Sequence, residues 1–270
     1  MIDLQQLYEI QKSLKDVGYP DYKRISKEIE EYTKDEKELS EILTEIKKKK
    51  PWEYIKGSTE FYTLEFKVNK NVLIPRIETE KLVSLAIQEF KDEEFDTVID
   101  VGTGSGCIII SFVKSLLLPT IYTKDIDGVE FIATDISSKA IVLAKRNINL
   151  HKLKDIIQIH KMDLISKLNL KNKKTLILAN LPYIPTQQYK NLDDSVKKYE
   201  PEIALDGGND GSRYYKDLLK QIKESKLKNF TLIAETEESI IKDTEKIFRE
   251  YKTTIVKDLN EKNRFVIVRD

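Results

Sequence analysis

A short segment, Asn180-Leu181-Pro182-Tyr183, has the residue types needed to hold a planar nitrogen group. It follows the apolar stretch Thr175–Ala179, which predicts a buried strand, and ligands of open α/β sheets bind at the carboxyl ends of strands. The Asn180 side-chain oxygen and the Leu181 carbonyl can both accept hydrogen bonds, and Pro182 has no N–H to compete for them. The Tyr183 ring can lie over a planar group. The segment therefore predicts a site that aims an –NH2 group at an electrophilic carbon mainly by positioning it.

A second chemical feature is the glycine-rich run Asp100–Gly106, in a chain with only nine glycines. It lies between a predicted strand and a predicted helix, where glycines let the backbone approach a nucleotide-like ligand. The spacing lacks the third glycine of the dinucleotide fingerprint, because Cys107 stands there. An acid at position 100 suits a ligand with a cationic amino group better than a pyrophosphate, although a tight turn without a ligand is the alternative. The predicted cofactor loop comprises Asp100, Gly102, Thr103, Gly104, Ser105 and Gly106.

Two aspartates that follow predicted strands could complete a nucleoside site. Asp135 follows the strand predicted over Val129–Thr134, where an acid can accept hydrogen bonds from both ribose hydroxyls. Its separation from the glycine loop exceeds the usual spacing of about 20 residues, which we attribute to an inserted loop, Thr120–Gly128. Asp135 could instead cap the helix predicted over Ser138–Leu150. Asp163 follows the next predicted strand and could meet an adenine amino group, or it could be only a turn residue.

The elements that must position these residues alternate between strands and helices after about residue 95. This alternation predicts an α/β fold with a mostly parallel sheet covered on both faces, and a last hairpin that adds an antiparallel edge. The predicted strands are Thr97–Val101, Val129–Thr134, Ile156–His160, Thr175–Ala179, Phe230–Ala234, Thr253–Val256 and Arg264–Arg269, and the predicted helices are Ile108–Leu118, Ser138–Leu150, Tyr214–Ile222 and Glu238–Tyr251.

The first 50 or so residues have a different pattern, with apolar residues at helical spacing. A break is predicted at Gly18-Tyr19-Pro20, and the lysine run Lys47–Lys50 ends the last helix. The alternating segment Glu60–Val68 is predicted to pair with Val72–Ile74 across a turn at Asn69–Asn71. We expect this hairpin to connect a small helical domain to the α/β domain.

Composition excludes several classes of protein. Lys+Arg and Asp+Glu are both 46, so no overall field attracts the chain to nucleic acid or to an anionic membrane. One cysteine and two histidines allow neither an internal disulfide nor a cysteine-based metal site, so we expect no metal. The amphipathic start of the chain does not resemble a signal peptide, and its apolar stretches are too short to span a membrane. We therefore expect a cytoplasmic protein without a membrane partner.

The order of these motifs is similar to that of amino methyltransferases that use S-adenosylmethionine. More closely, the chain resembles the HemK/PrmC family, the release-factor glutamine N5-methyltransferases, over nearly its whole length. The segments that carry this resemblance are Pro51–Gly57, Glu60–Tyr62, Val72–Arg76 with Glu78–Glu80, Asp100–Gly106, Asn180–Pro185, and Glu200–Gly208 with Asp210-Gly211.

The resemblance implies a class I methyltransferase fold with a Rossmann-like seven-stranded sheet. It implies a helical docking domain over residues 1–58, a hairpin linker over 59–76 and a methyltransferase domain over 77–270. The substrate would be the glutamine in the Gly-Gly-Gln loop of peptide chain release factors, and the enzyme would be a monomer. By position, Asn180, Leu181, Pro182 and Tyr183 would be catalytic; Asp100, Gly102, Thr103, Gly104, Ser105, Gly106, Asp135, Asp163, Leu164 and Asn180 would bind S-adenosylmethionine; and Arg76, Glu78, Asn180 and Tyr183 would bind substrate.

Two positions depart from the family pattern. Leu181 replaces the usual first proline of Asn-Pro-Pro-Tyr, which keeps the carbonyl acceptor but makes the backbone less rigid. Leu164 stands where some relatives carry an aromatic residue that could stack on adenine. Because the Asn-Leu-Pro-Tyr form also resembles ribosomal-RNA adenine dimethyltransferases, an adenine N6-methyltransferase acting on RNA or DNA is one alternative. A non-catalytic S-adenosylmethionine-binding protein is the other.

Overall fold

Helices formed by the predicted apolar pattern open the chain. In a computed structural model, which describes residues 4–19, 21–121 and 126–270, they enclose one cluster of buried side chains that includes Ile10, Ile29, Ile46 and Trp52. The Asp35 side chain accepts a hydrogen bond from the Glu38 amide and so caps the third helix. These helices are α1 (Leu4–Asp16), α2 (Tyr22–Tyr32), α3 (Glu36–Lys47) and the short α4 (Trp52–Lys56). The predicted break after α1 is present at Gly18-Tyr19, whereas Pro20 lies outside the described residues.

The hairpin that follows differs from the prediction. Its strands are β1 (Ser58–Phe61) and β2 (Leu64–Lys67), so the chain reverses inside the segment predicted to be one strand. Tyr62 and Thr63 make this turn with φ angles of 52° and 62°. The prediction is wrong because two-residue turns with positive φ normally carry Asn or Gly, so Tyr-Thr gave no signal. The segment 72–74, expected as the second strand, belongs to neither strand.

The remaining elements form the predicted α/β architecture, which is confirmed. Seven strands lie in the order β5-β4-β3-β6-β7-β9-β8. The first five in this order are parallel, and β9 is antiparallel to both of its neighbours. The strands are β3 (Thr97–Val101), β4 (Glu130–Asp135), β5 (Ile157–Lys161), β6 (Thr175–Ala179), β7 (Phe230–Glu235), β8 (Lys252–Lys257) and β9 (Asn263–Arg269), and the helices are α5 (Glu80–Asp92), α6 (Cys107–Leu116), α7 (Ser138–Leu150), α8 (Thr186–Tyr189), α9 (Asp194–Tyr199), α10 (Arg213–Glu224) and α11 (Ile241–Ile247).

Three of these helices differ from the prediction. The helix expected over Glu238–Tyr251 is reduced to α11, and the short helices α8 and α9 were not expected at all. Neither α8 nor α9 has a fully buried residue, so their sequences lack the apolar periodicity that would predict a helix. The loop expected over Thr120–Gly128 contains residues 122–125, which lie outside the described residues.

The register of the central strands determines where their carboxyl ends lie. Val101 pairs with Ala179, and Ala179 pairs with Ala234, so β3, β6 and β7 end at one level. The order of the sheet reverses between β3 and β6, since β4 lies on the other side of β3. Such a switch point leaves a crevice outside the carboxyl ends of the strands, and the glycine loop and the Asn180 segment both begin there.

No helix among the described residues is long and apolar enough to cross a bilayer.

Candidate active site

A cavity of about 400 Å³ opens at this edge of the sheet, within the usual size range of small-molecule sites. It is enclosed by the glycine loop, the loops after β4, β5 and β6, the segment before α5 and the start of α10. The predicted site residues that line the cavity are Arg76, Gly102, Thr103, Gly104, Ser105, Asp135, Asp163, Leu164, Asn180, Leu181 and Pro182.

Four predicted site residues lie outside the cavity wall: Asp100, Gly106, Glu78 and Tyr183. Asp100 is completely buried and accepts a 2.6 Å hydrogen bond from the Thr103 hydroxyl, so it supports the glycine loop from beneath. Burial raises its pKa to about 7, against the opposing effect of the Thr103 hydrogen bond. A Cβ at Gly106 would lie 3.0 Å from the Ile110 side chain, which shows that this glycine permits helix packing.

Tyr183 is half-buried and is not among the residues that line the cavity, so its predicted place over a planar acceptor group stays a prediction. It packs against the apolar cluster that includes Leu181 and Tyr215, and burial raises the pKa of its hydroxyl. Within the tetrapeptide, Asn180, Leu181 and Pro182 line the cavity and Tyr183 does not. Glu78 is half-buried in the one-turn 3-10 helix Ile77–Thr79, in which Thr79 is the residue that reaches the cavity.

Asp135 holds the glycine loop and begins α7. Its Oδ2 accepts a 2.9 Å hydrogen bond from the Gly104 amide, and its Oδ1 accepts one of 2.8 Å from the Ser137 amide. Ser137 then caps the helix by accepting from the Ala140 amide. The two roles weighed for Asp135 are therefore compatible, because each carboxylate oxygen keeps a second lone pair.

The Asn180 amide has a defined orientation. Its Nδ2 donates a 3.0 Å hydrogen bond to the Thr79 hydroxyl, which leaves Oδ1 as the acceptor atom of a side chain that lines the cavity. Leu181 is 3% exposed, and its side chain is the nearest contact that a Cβ at Gly102 would meet, at 3.0 Å. The leucine that replaces the usual proline is therefore packed against the glycine loop.

The second glycine cluster supports the Asn180 segment. The Gly207 amide donates to the Ile184 carbonyl at 2.8 Å, and the Ile184 amide donates to the Leu205 carbonyl at 3.0 Å. A Cβ at Gly207 would lie 2.7 Å from the Pro182 carbonyl oxygen, a distance that no side chain can occupy without backbone movement. The absence of a side chain at Gly207 therefore lets its loop pack directly against the backbone of the Asn180 segment.

Two polar contacts connect the early part of the chain to the cavity. Arg76 forms a 2.6 Å ion pair with Glu200, whose side chain is 2% exposed. Asn147, on α7, accepts from the Lys67 amide at 2.8 Å and donates to the carbonyls of Lys67 and Ser105 at 3.0 Å and 2.8 Å. Asn147 therefore joins the hairpin directly to the glycine loop.

Several cavity residues were not predicted. Ile136, directly after Asp135, is 52% exposed and presents an apolar surface to solvent. It could have been predicted as a cavity residue, because an apolar residue follows the acid at the end of the strand. The α10 residues gave no signal, because their spacing only indicated an amphipathic helix. The lining residues that the sequence reasoning missed include Asn71, Val72, Leu73, Pro75, Thr79, Ile136, Pro201, Ile203, Arg213, Tyr214 and Asp217.

No group of three or more His, Cys, Asp or Glu side chains that could hold a metal ion is present within residues 4–19, 21–121 and 126–270.

The seven-stranded sheet and the cavity at its switch point define a class I S-adenosylmethionine-dependent methyltransferase. Its fold is similar to that of the hMettl16 catalytic domain solved with hairpin 6 of the MAT2A 3'UTR, with a TM-score of 0.54, 17% sequence identity, and coverage of 77% of this chain and 76% of that one. The family model described as ribosomal protein L11 methyltransferase (PrmA) matches residues 78–198.

Comparison with curated relatives defines the family more closely. The release factor glutamine methyltransferase of Fusobacterium nucleatum is 36% identical over 249 residues, which cover 91% of this chain and 67% of that protein. The enzyme of the same name from Flavobacterium psychrophilum is 33% identical over 234 residues, which cover 84% of this chain and 78% of that protein. This chain belongs to the release factor glutamine methyltransferase family.

Proposed function

We propose that this chain transfers the methyl group of S-adenosylmethionine to the side-chain amide nitrogen of the glutamine in the Gly-Gly-Gln loop of peptide chain release factors. The observation that carries this proposal is its likeness, over 91% of its length, to a release factor glutamine methyltransferase. The geometry of Asn180 supports the same chemistry, since its Oδ1 is the free acceptor beside the cavity.

The donor set of the cavity fits S-adenosylmethionine. Asp135 offers carboxylate oxygens to ribose hydroxyls, and Asp163 offers one to an adenine amino group. Ile136 and Leu164 supply apolar surface for a planar base. The aspartates on the wall favour a ligand that carries an ammonium and a sulfonium over a pyrophosphate. When bound, S-adenosylmethionine supplies the activated methyl group.

The chain's own contribution is to orient the glutamine amide. Asn180 Oδ1 and the Leu181 carbonyl accept the two hydrogens of the –NH2 group, so the nitrogen lone pair faces the methyl carbon. A bond forms between this nitrogen and the methyl carbon while the sulfur–carbon bond breaks, and the nitrogen then loses one proton to water. The Leu181 side chain is buried, which fixes the position of the carbonyl that accepts from the reacting nitrogen.

Residues 1–58 are proposed to dock the release factor, with residues 59–76 as the connection to a methyltransferase domain over 77–270. The first four helices support this division because they enclose an apolar cluster of their own. Lys47, Lys48 and Lys49 line a cleft with α9, so this region also offers positive charge beside the active site. We propose a cytoplasmic monomer that does not use nucleic acid as substrate, consistent with its net charge of zero.

Labelled methyl transfer to purified release factor tests the proposal. The substrates are the intact factor, a factor with the loop glutamine changed to alanine, and bare ribosomal RNA. Asn180→Ala is compared with Asn191→Ala, a variant of an exposed asparagine on the loop after α8. We expect label on the intact factor only, lost in Asn180→Ala and kept in Asn191→Ala. Label on RNA alone would favour the adenine methyltransferase, and cofactor binding without any transfer would favour the non-catalytic alternative.

A further inference from the structure

Asn180 and Glu235 are neighbours across the sheet. Ala179, the last residue of β6, pairs with Ala234 of the parallel strand β7, so Asn180 directly follows β6 at the level where Glu235 ends β7. Glu235 is 1% exposed, and its Oε2 has no hydrogen-bond partner among the residues that the structure describes. Burying a carboxyl group without full hydrogen bonding costs folding free energy, so we expect Glu235 to have a role that compensates for this cost.

Two hydrogen-bonded connections run from Glu235 to the tetrapeptide. The Thr79 oxygen accepts the 3.0 Å hydrogen bond from Asn180 Nδ2, and the Thr79 hydroxyl interacts with the Glu235 carboxyl group, which lowers the pKa of Glu235 against the larger effect of its burial. The Tyr215 hydroxyl donates to the Glu235 backbone carbonyl, and the backbone of Leu181 interacts with the same hydroxyl and lowers its pKa against the larger effect of burial. One buried residue therefore supports both residues that hold the substrate nitrogen.

Burial raises the pKa of Glu235 to about 7, so the group is mostly ionised above that pH, and the direction of these hydrogen bonds follows from the ionised form. A carboxylate can only accept, so Thr79 must donate its single hydroxyl proton to Glu235. The Thr79 oxygen can then only accept from Asn180, and this requirement selects Nδ2. With a donor at position 235, Thr79 could instead donate to Asn180 Oδ1, which would turn the amide and leave Nδ2 facing the cavity.

We propose that Glu235 is a positioning residue for methyl transfer, which through Thr79 fixes the Asn180 amide with its acceptor oxygen towards the substrate. This inference rests on the proposed function. The nearest compensating charge, Arg264, directs its Nε to Asp258 at 2.8 Å, so the carboxylate of Glu235 is not consumed by an ion pair of its own. The buried carboxylate of Glu235 thus costs folding free energy but fixes the Asn180 amide in one orientation.

The test compares four variants by steady-state kinetics with release factor. Glu235→Gln and Thr79→Val remove the directing interaction, and we expect kcat to fall on the order of 10- to 100-fold, as for a misplaced reacting group. KM for release factor and the dissociation constant of S-adenosylmethionine should change by less than about twofold, because binding is not affected. Thr79→Ser keeps the hydroxyl and should retain most of kcat.

Thr236→Val is the matched control. Thr236 follows Glu235, is fully buried, and carries a hydroxyl without a partner in the described part of the chain. We expect its kcat to match the unchanged enzyme. An unchanged kcat in Glu235→Gln, or an equal loss in Thr236→Val, would overturn the inference.

An observation that does not need turnover separates this inference from the proposed function. The side-chain NH2 protons of Asn180 should exchange slowly with water by NMR in the unchanged protein and in Thr79→Ser, and rapidly in Thr79→Val. Failure of the unchanged enzyme to methylate release factor would refute the proposed function alone. Equally fast exchange in all of these proteins would refute the positioning role.

Discussion

The Arg76 guanidinium lies 2.6 Å from the carboxylate of Glu200, 124 residues further along the chain. Glu200 also accepts a 3.3 Å hydrogen bond from the Ile74 amide, so one buried carboxylate holds the segment before α5 against the loop before α10. Both Arg76 and the neighbouring Pro201 line the cavity. The pair thus holds two parts of the cavity wall together.

Glu200→Gln should therefore destabilise the fold by about 1–2 kcal/mol, a value reduced because the Arg76 side chain is 38% exposed and can regain water. Urea unfolding measures this change. Glu261→Gln removes the exposed partner of Lys257 and should change stability by less than about 0.5 kcal/mol. Equal stabilities for the two variants would contradict the structural role of Glu200.

Gly207→Ala should damage catalysis more than folding. The added Cβ would lie 2.7 Å from the carbonyl oxygens of Pro182 and Gly211, so it would displace the Asn180 segment. We expect kcat to fall on the order of 100-fold, because misplacement of about 1 Å has effects of this size. Gly128→Ala is the control, since φ there is +85° but nothing lies within 4 Å; it should cost about 1 kcal/mol of stability and leave kcat unchanged.

Asp100 should make stability decrease as pH rises. Burial raises its pKa from the ordinary value of 3.8 to about 7, against hydrogen bonds from the Thr103 hydroxyl and the Ile109 amide, while Asp135 raises the pKa further. Since the folded state binds this proton more tightly than the unfolded state, the contribution to stability is full below the unfolded pKa and is lost as pH rises through the folded one.

Asp100→Asn tests this sign. The variant should unfold at a higher temperature than the unchanged protein at about pH 8, and the advantage should vanish at about pH 4. Differential scanning calorimetry across this range supplies the measurement. A variant that loses stability at both pH values would show that the carboxylate contributes more through Thr103 than its burial costs.

The lysine cleft supports a prediction about docking. Lys47, Lys49 and Lys198 line a cavity of about 450 Å³ between α3 and α9. Changing all three to Glu should raise KM for release factor about tenfold without changing kcat or S-adenosylmethionine affinity, because the charge acts on encounter and binding. The control changes Lys220 and Lys242, on α10 and α11, to Glu. An unchanged KM, or the same increase in the control, would argue against docking at the cleft.

The elements that could be predicted from the sequence are those that a short run of neighbouring residues determines. Continuous apolar runs located β3 and β6, and the alternating glycines located the loop between β3 and α6. Thr79 and Glu235 escaped detection because their significance depends on strand pairing across the sheet. The packing of Tyr183 also could not be predicted, since it depends on how the chain turns after Pro182. Contacts between distant segments leave no periodic pattern in the sequence.

The hydrogen bonds of Asn147 couple the hairpin mechanically to the glycine loop. Its fully buried side chain hydrogen-bonds to the amide and the carbonyl of Lys67 and to the carbonyl of Ser105. The same residue therefore holds both β2 and the glycine loop. Tyr54 packs against Val68 and Ile74 in the same region. The hairpin and the glycine loop are therefore joined by one buried side chain in addition to the chain that connects them. A displacement of β2 by a bound protein would be transmitted through Asn147 to the glycine loop, which is proposed to bind the cofactor.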